Sequence, residues 1–306
     1  MKVTKFGYSI ETNLIPKLDL MIARCVQKNP KRDSTLLIEG AEGEGKTTFS
    51  IAIAYYVKEK TGRSFGAKNV FFDLEKMIKF LKDSEDQIAI WDEPAFQALS
   101  GDSRSMIVKD LTRLLMTARK KRHFIIINMT YFNKFNEYIV AQRPLGMIHV
   151  YSRNQLVSGR FIYIKKKNLE YLWNEWIKRR RRNYIKFASK RIRGSFPDVL
   201  NPHYKHNVLS EFDVELYEKE KDHAISLIGD KKSEKNKYKT ALRIMKKVIG
   251  SLRPPIMTKK ELAERLGIPP RTFERWKNYE VESTEINVFK KDTPEIAIPQ
   301  DPLLIS

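Results

Sequence analysis

Cysteine is almost missing from this chain: Cys25 is the only one in 306 residues. That excludes an internal disulfide framework and a cysteine-rich zinc site, and it leaves Cys25 as a small apolar residue of a helix. Long apolar runs are missing too. No stretch approaches the roughly 20 apolar residues that a membrane helix needs, and the N-terminal "MKVTKFGYSIETN" lacks the apolar core of a secretory signal. The expectation is a globular protein without membrane insertion, in the cytoplasm, of the host cell if the chain is viral. Acidic residues are in deficit: 37 Asp and Glu stand against 58 Lys and Arg, a net charge of +21. Such an excess attracts polyanions and speeds their encounter, so nucleic acid is the leading partner.

The charge is unevenly spread. Residues 151–206 carry 15 Lys and Arg against 3 Asp and Glu, whereas residues 1–150 carry 24 against 17. The first half alternates short apolar strands ("TLLIEG", "KNVFFD", "QIAIWDEP", "FIIINMT", "MIHVYSR", "RFIYIKK") with helical patterns, and "KTTFSIAIAYYVKEKTG" ends on Gly62 as its stop signal. Strands alternating with helices imply an α/β fold, a mostly parallel sheet with helices on both faces. The spacing predicts an α/β domain over 1–167, a basic helical connector and linker over 168–237, a small all-α unit over 238–281, and a tail over 282–306.

Between the first apolar strand and its helix, Gly40, Ala41, Glu42, Gly43, Glu44, Gly45, Lys46 and Thr47 match G-x-x-x-x-G-K-[ST] at every fixed position, with Thr48 next. Glycines there let backbone N–H groups turn inward around phosphates at the positive end of the helix. Lys46 would reach the terminal phosphates of ATP, and Thr47 would set its hydroxyl on a magnesium ion. Glu42 and Glu44 must point outward to be tolerated beside phosphates. After the buried strand "IAIW", Asp92 would bind the magnesium ion, directly or through water, and Glu93 is placed to orient and deprotonate the attacking water. Asn128, at the polar end of "FIIIN", either senses the terminal phosphate or caps a turn. Arg119, Arg122, Arg143, Arg153 and Arg160 lie near strand ends and are candidates to act in trans, each also readable as a solvated or DNA-facing charge.

This order of a phosphate loop, an Asp-Glu pair and a polar strand end resembles the additional-strand, catalytic-glutamate branch of P-loop ATPases. "LTRLLMTARKKRHFIIINMT" followed by "YIVAQRPLGMIHVYSR" is similar to the HerA/FtsK group, which includes viral DNA-packaging and Zot-like ATPases. The resemblance covers residues 34–165 and implies ATP, Mg2+ and a homo-oligomer, a ring formed on DNA. That group usually carries a glutamine after the fourth strand, where this chain has Asn128 and Thr130 in "NMTYFN".

Two further stretches point to DNA. "KRRRRNYIKFASKRIR" reads as a basic helix in which Arg179, Arg180, Arg181 and Arg182 would neutralise phosphates, while Tyr184 and Phe187 either stack on bases or pack on the domain. "MTKKELAERLGIPPRTFERWKN" resembles a helix-turn-helix. Thr258 and Glu261 form a capping box, Ala263 allows close helix approach, Gly267 makes the tight turn, and Leu262, Leu266, Ile268, Phe273 and Trp276 are the buried set. Its second helix would present Arg271, Thr272, Arg275 and Lys277 to a major groove. A helical hairpin for oligomer contacts is the competing reading. The combination predicts a DNA-translocating or packaging ATPase of a virus or mobile element. A helicase-loader or replication-initiation ATPase and a nucleotide-regulated transcription factor are the alternatives.

Overall fold

The computed structural model describes residues 2–92, 101–153, 157–201 and 208–226. A two-residue antiparallel pair, β1 (Lys2–Val3) and β2 (Ser9–Ile10), precedes helix α1 (Ile15–Val26). The strand that leads into the phosphate loop, β3 (Ser34–Glu39), is buried at all six positions. Helix α2 (Lys46–Thr61) follows, then β4 (Val70–Phe71), α3 (Leu74–Asp83), β5 (Ile88–Trp91), α4 (Gly101–Thr117) and β6 (Phe124–Met129). Next come β7 (Gly146–Arg153), β8 (Val157–Lys165), α5 (Lys166–Arg179), α6 (Tyr184–Phe187), β9 (Arg193–Ser195) and α7 (Val208–Glu211), and residues 214–226 are helical.

Seven strands form one sheet in the order β4-β5-β6-β3-β7-β8-β9. The first five are mutually parallel, as crossover helices require, and the β7–β8 and β8–β9 pairs are antiparallel. Strand β6 therefore lies between β3 and β5, in register Leu37↔Ile127 on one side and Ile90↔Ile126 on the other. The fold is of the α/β, P-loop NTPase type.

The period of two along each strand divides the core. Leu36 and Ile38 of β3, Ile88 and Ile90 of β5, and Phe124 and Ile126 of β6 face α1 and α2. Leu37, Ala89, Trp91, Ile125 and Ile127 face α3, α4 and α5. Helix α2 is buried continuously from Phe49 to Val57, which explains why "FSIAIAYYV" carries no polar stripe. Gly62 ends it in the left-handed conformation at φ 69°, as expected. Helix α3 shows the opposite pattern: Leu74, Met77 and Leu81 are buried, and the Asp73 side chain caps it by accepting from the Glu75 N–H at 2.7 Å. Each fully buried large apolar side chain contributes roughly 1.5–3 kcal/mol.

The sheet body continues past residue 167, where the composition suggests a connector. Leu169 and Leu172 of α5 are buried against the sheet, β9 extends it, and Val199, Val208, Phe212 and Tyr217 join the core. Apolar residues spaced through a strongly basic stretch bring the chain back onto the domain, and net charge hides that. The basic stretch expected as one helix is two, because α5 stops at Arg179 and Arg180 turns left-handed at φ 55°. Tyr184 and Phe187 pack on the core cluster beside Trp173 and Trp176. The expected helix-turn-helix over 238–281 and the tail over 282–306 lie outside the described residues, as does Glu93. Among the described residues, no helix is long and apolar enough to cross a membrane.

Candidate functional site

The loop from Gly40 to Gly45 leaves the C-terminal end of β3 and enters α2, whose first residue is Lys46. Gly45 precedes it at φ 85°, a left-handed conformation that turns the chain sharply into the helix. Gly40 is required for another reason: a Cβ there would lie 2.5 Å from the side chain and carbonyl of Val150 on β7. The Lys46 Nζ donates to the carbonyls of Gly40 at 2.9 Å and Ala41 at 2.7 Å, folded over its own loop. Ala41, Glu42 and Gly43 are exposed. Glu44 accepts a hydrogen bond from the Ser152 hydroxyl at 3.0 Å, which ties its carboxylate to β7. Thr48 is half-buried in the first turn of α2.

Beside the loop, the Thr47 hydroxyl donates to Asp92 Oδ2 at 2.7 Å. Asp92 follows β5 and is buried. Its other oxygen, Oδ1, accepts from the Asn128 amide at 3.2 Å, and the Asn128 carbonyl oxygen in turn accepts from the Ser50 hydroxyl of α2. Ser50 also lies 2.8 Å from the Lys46 carbonyl. Asn128 is inside β6 with no exposed surface, so it links the two motif-bearing elements from between them. A hydroxyl and a carboxylate meeting at a helix N-terminus, under a lysine and a glycine turn, is the donor set that suits Mg2+ on a triphosphate. Among the described residues, no group of three or more His, Cys, Asp or Glu forms a metal cluster.

Two neighbours carry little sequence signal. Tyr217, from the helical residues 214–226, sets its hydroxyl 3.4 Å from Asp92 Oδ2. Burial, with Asp92 beside it, pushes the Tyr217 phenol far above its ordinary range, so it stays a neutral donor. Glu39, the last residue of β3, is buried. It accepts from the Tyr184 hydroxyl at 2.6 Å and lies 2.5 Å from His149 Nδ1, whose ring stacks on Tyr184 at 4.0 Å. Only the period-two inward position of Glu39 hints at this, because Tyr184 and Tyr217 arrive from segments distant in sequence.

The arginines divide by edge. Arg179, Arg180, Arg181 and Arg182 are exposed; Arg180 lies over the Trp176 ring at 5.5 Å and Arg182 over Tyr131 at 5.0 Å. Arg119, Arg122 and Arg143 precede β6 and β7, at the opposite edge of the parallel strands from the loop. Arg143 forms a buried ion pair with Asp33, and Arg122 pairs with Asp86. Arg160 sits on β8 opposite Tyr151 and Ser195. Arg271, Thr272, Arg275 and Lys277 lie outside the described residues.

No protein-family model matches the chain, and no curated protein matches it. Among solved structures, a KaiC-like protein from the hyperthermophilic archaeon Pyrococcus horikoshii is similar over 44% of this chain and 79% of its own, at 15% identity and a TM-score of 0.32. So loose a likeness carries no functional weight. The P-loop NTPase fold stands on the strand order and the loop geometry.

Proposed function

We propose that this chain is a magnesium-dependent ATPase that acts on DNA, a translocating or packaging motor of the HerA/FtsK kind within the additional-strand branch. The observation that carries the ATPase reading is the Thr47–Asp92 hydrogen bond of 2.7 Å in the first turn of the helix that Lys46 opens, braced by Asn128 from the strand between β3 and β5. That inserted strand also supports the branch. The DNA reading rests on the charge of +21 and on its concentration in residues 151–206.

In the proposed reaction, water attacks the γ-phosphorus in line as the bond to the bridging oxygen breaks and that oxygen leaves with ADP. Lys46 releases its loop carbonyls to hold the terminal phosphates and offsets charge that builds on their oxygens. Asn128 and Ser50 fix the Asp92 carboxylate against Thr47, so these ligands are aimed before substrate arrives. Glu93 accepts the proton of the attacking water. Magnesium, when bound, supplies charge neutralisation across the phosphates. Exchange of Glu93 for Gln should retain ATP binding and abolish both hydrolysis and movement on duplex DNA in a single-molecule translocation assay. A variant that keeps hydrolysis, or a wild type that hydrolyses ATP without moving on DNA, contradicts the motor reading.

A further inference from the structure

At the N-terminal ends of the parallel strands, a cavity of about 430 Å³ is lined by Arg24, Lys31, Arg32, Asp33 and Arg119. Arg24 stands in the last turn of α1, Lys31 and Arg32 on the loop into β3, and Arg119 just after α4. Asp33 is the one acid among these lining residues, and its Oδ2 is already committed to Arg143 in an ion pair whose side chains are 1% and 5% exposed. Its Oδ1 is buried without a hydrogen-bond partner.

Neutral oxygens help to hold these cations in place. Arg24 Nε donates to the Asp33 carbonyl at 3.3 Å, Arg119 Nη2 to the Tyr138 hydroxyl at 3.3 Å, and Arg143 Nε to the Leu115 carbonyl at 3.1 Å. Burial, then the like charges of Arg32 and Arg143, lower the proton affinity of Arg24. Lys166, at the start of α5, is lowered by burial and by Arg24 and Arg143, with Glu170 pulling the other way. Positioned cations that repel one another around a single spent carboxylate are relieved by an anion from outside.

We propose that this cavity binds a phosphate of a nucleic-acid backbone, at the end of β3 opposite the nucleotide loop. Guanidinium groups suit phosphate through their forked N–H donors. A polymer is favoured over a free phosphate because exposed cations continue beyond the cavity: Lys28 on the same loop, Lys120 beside Arg119, and Lys167 beside Lys166. The inference rests on the DNA reading above and assigns it a contact surface.

The test is a salt titration of the full chain binding a short fluorescein-labelled DNA duplex. Wild type is compared with the triple variant Arg24→Gln, Lys31→Gln, Arg32→Gln, and with a charge-matched control on exposed positions, Lys68→Gln, Lys79→Gln, Lys82→Gln. Each lost phosphate contact lowers the slope of log affinity against log salt by about 0.9. The cavity variant should therefore lose about 0.9 from its slope and at least about tenfold in affinity at low salt. A slope equal to that of wild type or of the control overturns the assignment. Wild type that binds no duplex overturns both the cavity and the DNA partner, whereas binding of a fluorescent ATP analogue reads the nucleotide site separately. If the melting temperature shows that the triple variant is misfolded, Lys31→Gln with Arg32→Gln, both exposed, carries the test with an expected slope loss of up to about 0.9.

Discussion

The two ends of β3 are built on opposite principles. At its C-terminal end the polar groups answer one another: Lys46 rests on loop carbonyls, and Thr47, Asp92, Asn128 and Ser50 form one chain of hydrogen bonds. At its N-terminal end cations exceed acids, and Asp33 is spent on Arg143. A network satisfied within the protein is pre-organised, and it aims ligands at a substrate whose geometry is always the same. An excess of one charge that the fold leaves unneutralised suits a polymer that brings its own counter-charge. Six residues of extended chain therefore separate a satisfied polar network from an excess of positive charge.

The comparison breaks most sharply at Arg143. Replacing it with Ala leaves Asp33 charged, buried and unpaired, which should cost about 3–5 kcal/mol in a denaturant titration. Exchanging Arg143 and Asp33 together for apolar residues should recover most of that loss, because the cost lies in the orphaned charge. At the other end, Asn128→Ala should leave the fold intact and raise the magnesium concentration needed for hydrolysis about 10- to 100-fold, because Asp92 loses the donor that orients it. An unchanged magnesium requirement would make Asn128 merely structural.

The smallest effect is a pH dependence at the N-terminal edge. His123 is fully buried, accepts from the Gln87 N–H at 3.1 Å and lies 2.9 Å from the Leu81 carbonyl. Burial lowers its proton affinity below the ordinary value, against the pull of that carbonyl. Because the folded state holds His123 neutral, its contribution is complete above the unfolded value near pH ~6.5 and is lost as the pH falls below that. The loss is at most about 1.4 kcal/mol per pH unit. Urea midpoints measured at descending pH should fall more steeply for wild type than for His123→Gln.

What could be read before folding follows from the same contrast. The loop and its ligands carry local signals, because the glycines, Lys46 and Thr47 are adjacent in sequence and Asp92 ends a short apolar strand. The alternation of β3, β5 and β6 shows equally well, since both faces of a parallel sheet are apolar. Tyr217 and the Glu39–His149–Tyr184 group could not be read that way, because each joins residues far apart in sequence. The expected connector misled for a related reason. Its net charge masked Leu169, Leu172 and Val199, which return the chain to the core. The basic cavity also left no local pattern, since Arg24, Arg32 and Arg119 meet only once α1, β3 and α4 are assembled.

The proposed function requires that Lys46 and its loop hold ATP for work on DNA. Magnesium-dependent ATP hydrolysis, measured for wild type and Lys46→Ala with and without duplex DNA, tests it most directly. Wild type should hydrolyse ATP faster when DNA is present, and Lys46→Ala should lose about 10²–10³ of that rate. Equal rates for the two proteins, or no hydrolysis by wild type with DNA present, would contradict the account.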